Sequence, residues 1–239
     1  MRLGLARPEL FLTQLRALVR ASAHGRLQIM IPMISSVAEF RASLRLLAQA
    51  VQDIDNRGLS RAAFIPCGCM VEVPSAAIMA NELAQEAAFL SIGTNDLVQY
   101  CLAVDRSRPE LVGLGSSFDP SVLRLIRRTV RAGERHHRPV LVCGAMASDP
   151  LSVLLLLGLG IRELSMEGSA IPELKEAISR VSLVEAERLA DDALACSTAE
   201  EVERMVTETY APYFADLLDG EPAYEDIRQR SLTHISGQG

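Results

Sequence analysis

The sequence predicts an α/β fold: a parallel sheet with helices packed against it. Three observations carry that prediction. Short apolar, β-branched runs recur without polar alternation, as expected of strands buried on both faces. Longer segments with helical spacing of apolar residues lie between them. The two kinds of segment alternate five times, the pattern of successive βα units rather than of hairpins.

The elements follow in order. Pro8 to Ser22 has helical spacing at Leu10, Leu12, Leu15, Leu18 and Val19, with the proline near its start, where a missing N–H costs nothing. Leu27 to Ile34, "LQIMIPMI", is the first strand. "SSVAEFRASLRLLAQAVQDI" is then helical, capped by Ser35 or Ser36 with Glu39 following. Ala62 to Val73 holds the second strand, and "SAAIMANELAQEA" resumes as a helix capped by Ser75. "AAFLSIG" is the third strand. Asp119 as cap and Pro120 in the first turn open the next helix. Arg138 to Gly144 is the fourth strand, and "DPLSVLLLLGLG" repeats the Asp-Pro helix start. Ile161 to Met166 is the fifth strand. "AIPELKEAI" begins another helix, and Leu183 to about Leu218 is helical.

A chain of 239 residues, 49% hydrophobic, is large enough for a substantial core. It reads as one domain over residues 1–215 with a polar tail over 216–239. A net charge of −6 and 4% aromatic residues argue against nucleic acid as a partner. Basic residues do cluster between Arg124 and Arg138. Val122, Leu123, Ile126, Thr129 and Val130 mark the opposite side of that helix, so the cluster reads as its solvated face. The five cysteines fit neither a zinc nor a disulfide framework, which leaves reduced thiols in a cytoplasmic protein as the simplest account. "LSVLLLLGLG" is too short to cross a bilayer and reads as a buried helix.

In parallel β/α folds, sites form at the carboxyl ends of the strands. Those ends deliver Glu72, then Gly93-Thr94-Asn95-Asp96, then Cys143-Gly144. Each residue has a plain reading beside the functional one. Glu72 either reaches solvent beyond its strand or is buried and paired or metal-bound. Asp96 either caps a turn or joins Glu72 in holding Mg²⁺, which takes one or two carboxylates, phosphate oxygens and water. Cys143 is either a small core residue or a reactive thiol at the rim.

"GCMVEVPSAA", "FLSIGTNDLVQYCLAVDRS", "VLVCGAMASDP" and "LLLLGLGIRELSM" together resemble the carboxyl-terminal domain of PEP-protein phosphotransferase, enzyme I of the PEP:sugar phosphotransferase system. The resemblance covers roughly residues 1–215. It implies a TIM (β/α)8-type barrel, incomplete here at about five βα units with C-terminal helices. It also implies binding of PEP and Mg²⁺, and transfer of the phosphoryl group to a histidine on a separate phosphohistidine domain that serves a phosphocarrier protein. Residue by residue, Glu72 and Asp96 look like Mg²⁺ ligands, Asn95 and Asp96 like phosphate contacts, Arg106 like the phosphate clamp and Cys143 like the acid that protonates the enolate carbon. A homodimer is expected on the same ground.

Two features depart from that family. Its members carry further strands and arginine motifs upstream, and none of the four histidines here has a phosphohistidine-like setting. The family usually has Glu after "CG", where this chain has Ala145. The alternative reading is therefore a truncated remnant acting as a binding or dimerisation module.

Overall fold

The structure, a computed structural model, describes residues 1–105 and 115–214. Its centre is a five-stranded sheet in the order β1 (Ile29–Ile31), β2 (Cys67–Val71), β3 (Leu90–Gly93), β4 (Val140–Cys143) and β5 (Glu163–Ser165), every pair parallel. Strand follows strand in chain order, with helix between, so the sheet is five consecutive units of a TIM-type barrel. Among the described residues β1 and β5 each pair on one side only, and the barrel is an open arc.

The expectation that the strands are buried on both faces holds only in the middle of that arc. All of β3 is buried, whereas β1 and β5 each expose alternate residues. Ile29, Ile31, Cys67, Cys69, Val71, Leu90, Ile92 and Val142 join the two apolar clusters beneath the helices. Met30, Glu163 and Ser165 alternate with buried or half-buried neighbours and are exposed. A strand in an open arc has helices on one side only, so residues one step out of register reach solvent. Burial pushes the Cys67 thiol up to about 11 and that of Cys69 higher still, so both behave as small apolar side chains.

The helices are α1 (Arg2–Ala6), α2 (Pro8–Ala21), α3 (Val37–Asn56), α4 (Pro74–Ile78), α5 (Ala80–Glu86) and α6 (Thr94–Leu102), then α7 (Pro120–Arg135), α8 (Pro150–Gly158), α9 (Ile171–Ser179), α10 (Leu183–Ala195) and α11 (Ala199–Phe214). Asp119 and Asp149 cap α7 and α8 as their Asp-Pro signatures predict. The α8 segment is apolar all round because it is enclosed: Leu151 and Val153 to Leu156 are all buried. Each fully buried leucine there contributes about 2 kcal/mol.

At the start of α3, Ser36 is the cap and its hydroxyl accepts from the Glu39 N–H at 3.2 Å. Glu39 reaches back to the Ser35 N–H at 2.7 Å, one residue before the usual target of a capping box. Ser36→Ala is expected to cost about 1 kcal/mol, a fall of roughly 2–4 °C in Tm by thermal unfolding.

Three expectations are revised. The helix after β2 starts at Pro74 and breaks at Met79, and Ser75 does not cap it; its hydroxyl donates to the Ser35 carbonyl at 2.9 Å. With Pro74 in the first turn, Ser75 already lies inside the helix. The C-terminal helical stretch divides into α10 and α11. Residues 94–102, given no element from sequence, form α6, which begins at Thr94 directly after Gly93. The expected tail at 216–239 lies outside the described residues.

Candidate active site

The sheet register sets the site. Val71 pairs with Ile92, Gly93 with Cys143, and Cys143 with Ser165. Glu72, one residue beyond Val71, therefore lies level with Gly93, Cys143 and Ser165 at the carboxyl ends of four neighbouring strands. The residues expected from sequence at a common rim are brought together there, except Arg106, which lies outside the described residues.

Glu72 is only 4% exposed. Its Oε1 accepts from the Met33 N–H at 2.6 Å, and Met33 has a left-handed backbone with φ 54° that turns the chain after β1. Its Oε2 lies over Gly93, where an added Cβ would stand 2.8 Å from that oxygen. Gly93 itself has an ordinary φ of −88°. The glycine is thus required by the room Glu72 occupies, and not by a tight turn as its place at the strand end implies.

Asp96 comes from the first turn of α6, where the helix macrodipole favours a carboxylate. It faces Glu72 closely enough for a side-chain hydrogen bond between the two groups. Burial, foremost, holds the Glu72 carboxyl above the usual carboxylate range; the Met33 N–H opposes this, and the Asp96 charge adds to it. The repulsion is relieved by a proton on Glu72 or by a cation between the two groups.

Asn95 and Thr94 do work that sequence reasoning missed. The Asn95 Oδ1 accepts from the Ala145 N–H at 2.9 Å, and the Thr94 hydroxyl donates to the Cys143 carbonyl at 3.0 Å. Between those bonds Gly144 takes φ 99°, and a Cβ there would meet Thr94 Oγ1 at 2.5 Å and Asn95 Oδ1 at 3.0 Å. The turn after β4 is therefore fastened to the first turn of α6, which holds Cys143 beside the carboxylate pair. The half-buried Cys143 thiol has Ser91 Oγ at 3.8 Å and the Ile92 carbonyl at 3.6 Å. Ser91 was also missed; its signal is a fully buried hydroxyl inside an apolar strand, two residues before Gly93. Ala145 is exposed beside this rim.

A family model described as the PEP-binding domain of PEP-utilising enzymes matches residues 1–183. The chain belongs to this family. It is 47% identical over 202 residues to a multiphosphoryl transfer protein of Xanthomonas campestris pv. campestris, covering 84% of this chain and 23% of the relative. It is 43% identical over 205 residues to a phosphoenolpyruvate-protein phosphotransferase of Listeria monocytogenes, covering 86% of this chain and 36% of the relative. A protein of the same description from Geobacillus stearothermophilus is 40% identical over 210 residues, covering 88% and 36%. The chain thus spans about a third or less of the length of these relatives. Its fold also resembles the crystal structure of a citrate lyase from Burkholderia xenovorans LB400, with TM-score 0.54 and 17% identity over 77% of this chain and 58% of that one. No helix among the described residues is long and apolar enough to cross a membrane.

Proposed function

We propose that the chain is the PEP- and Mg²⁺-binding part of a PEP-dependent protein phosphotransferase, which moves the phosphoryl group of PEP to a histidine on another domain and releases pyruvate. The observation that carries this reading is the facing pair Glu72 and Asp96, level with the Cys143 thiol. The donor set fits Mg²⁺. Two carboxylates on one rim leave the remaining positions to phosphate oxygens and water, as this ion prefers. Among the described residues no larger cluster of His, Cys, Asp and Glu competes for it. When bound, the ion offsets charge on the phosphoryl group and on the enolate oxygen.

The chain's own residues divide the remaining work. The N-terminus of α6 presents backbone N–H groups where an anion is favoured. Asn95, its oxygen engaged with Ala145, offers its NH₂ to a phosphate oxygen. Arg106 is the clamp on the phosphate, by resemblance to the family. Cys143 gives its S–H proton to C3 of the enolate, forming the methyl C–H bond of pyruvate, and the thiolate regains a proton from solvent. On this reading the acceptor domain and a phosphocarrier protein are the partners, and the chain acts in the cytoplasm as a homodimer within the sugar phosphotransferase system.

The test is deuterium exchange from solvent into the pyruvate methyl group with Mg²⁺ present, alongside calorimetric titration of PEP. Cys143→Ala is expected to slow exchange by about 100-fold or more while leaving PEP affinity within about threefold. Unchanged exchange would remove Cys143 from the chemistry. Absence of Mg²⁺-dependent PEP binding would overturn the reading for this chain.

A further inference from the structure

The basic stretch of α7 has a use that the rim chemistry does not account for. Arg124, Arg127, Arg128, Arg131 and Arg135 line one groove of about 500 Å³ together with Asn81 of α5. Apart from the adjacent Arg127 and Arg128 they recur three or four residues apart, along one side of the helix over about 16 Å at 1.5 Å per residue. The one acidic residue of α7, Glu134, lines a different groove. Five guanidinium groups on one face repel one another, and the single carboxylate ion-paired with them among the described residues is Asp191, which binds Arg127 at 2.6 Å.

Part of the row is structural. Arg124 donates to the carbonyls of Leu194 and Cys196 at the end of α10, and Arg128 to that of Ile78 at the end of α4. Cations suit helix carboxyl ends. These bonds do not account for the middle of the groove. Arg131 is exposed and has no hydrogen-bond or ion-pair partner among the described residues. The Nε of Arg127 is buried without an acceptor among the described residues, while its Nη2 is held by Asp191. An exposed, unpartnered guanidinium in the middle of a row of like charges favours an anion. The groove's apolar lining is confined to Ala132 and Leu194, which gives a peptide little to anchor on.

We infer that the α7 groove is a binding site for a compact polyanion carrying two or three linked phosphates. Guanidinium groups bind phosphate in bidentate fashion, and a row of them matches a phosphate chain better than a single phosphate. The volume is that of a small-molecule site. The phosphate chain has two sources, inorganic polyphosphate or a nucleotide.

The test is calorimetric titration of the 239-residue chain with sodium tripolyphosphate, pyrophosphate, orthophosphate and ADP at low salt without divalent ions. Tripolyphosphate is expected to bind at least about tenfold more tightly than orthophosphate, with an affinity that falls as salt rises. Arg131→Ala is expected to weaken it about tenfold with an unchanged unfolding midpoint, because Arg131 holds nothing in place. Asp96→Asn is expected to leave it unaltered, which separates this groove from the rim. ADP ahead of pyrophosphate supports the site with a nucleotide as its source; pyrophosphate ahead of ADP supports it with an inorganic source. Equal, weak binding of all four probes, binding indifferent to Arg131→Ala, or binding lost in Asp96→Asn would each overturn the proposal.

Discussion

Asp96→Asn is expected to abolish stabilisation of the chain by Mg²⁺ while making the metal-free chain more stable at neutral pH. Both effects have one cause. Without a cation the Glu72 and Asp96 carboxylates face each other, and Glu72 is held above its usual range by burial first and by the Asp96 charge in addition. A carboxyl whose folded value is raised binds more protons folded than unfolded, so stability falls as pH rises from the ordinary carboxylate value through the folded one. The metal-free wild-type chain should therefore lose stability across that window, and Asp96→Asn, which removes the opposing charge, should lose less. With Mg²⁺ the order reverses. An ion at about 100 times its Kd stabilises by about 2.7 kcal/mol, or roughly 5–10 °C in Tm for a chain of this size. The variant should show almost none of that gain, and Mg²⁺-dependent PEP binding should fall with it. Thermal unfolding with and without Mg²⁺ between pH 5 and 8 decides the matter. A variant that still gains several degrees from Mg²⁺ would place the ion elsewhere.

Sequence and structure part company at particular residues, for physical reasons. Asp119-Pro120 and Asp149-Pro150 are legible because a cap acts within one helical turn. The convergence of Glu72, Asp96 and Cys143 is legible because parallel strands in chain order place their ends on one rim, whatever the loops between them do. Ser75 was misread because its partner, the Ser35 carbonyl, lies 40 residues away in the chain. Gly93 is legible as a strand end, but its demand is for space beside a side chain from the neighbouring strand, which no local pattern records. Thr94 and Asn95 are placed at the rim by the sequence, but their bonds to a turn some 50 residues further on are not, for the same reason. Local chemistry is written in the sequence; contacts across the sheet have to be seen.

Gly158→Ala is expected to be the most damaging single-methyl change in the fold, against what helix propensity predicts. Gly158 ends α8, and alanine is favoured over glycine within a helix by about 1 kcal/mol. Its φ is not the obstacle, because Gly158 is not among the glycines with positive φ. The obstacle is α10. A Cβ built on Gly158 would lie 2.0 Å from the Ala186 carbonyl oxygen, 2.5 Å from its carbon and 2.8 Å from the Ala190 Cβ. None of these atoms can rotate away: two belong to helix backbone and the third is a methyl fixed to it. Ala186, Ala190 and Ala193 are all buried on α10, and at the point of closest approach to Gly158 the contacts are helix backbone and an alanine methyl. The helices must separate, which opens voids among Leu154, Leu155, Leu189 and Tyr210 in the same cluster. Overpacking of this kind costs about 1–3 kcal/mol where side chains can adjust, and here the upper end or beyond is expected. The urea midpoint should fall accordingly, with Tm lower by roughly 6–12 °C for a loss of about 3 kcal/mol. Gly25→Ala, where a Cβ meets nothing within 4 Å, should stay within about 0.5 kcal/mol of wild type and serves as the control. Because the Ala145–Ala147 turn leads from β4 into α8, a displaced α8 should also disturb the bonds from Thr94 and Asn95 that fasten Cys143. A Gly158→Ala chain with the wild-type midpoint would mean that α8 and α10 part without cost, and that the close approach between them does not hold this side of the arc together.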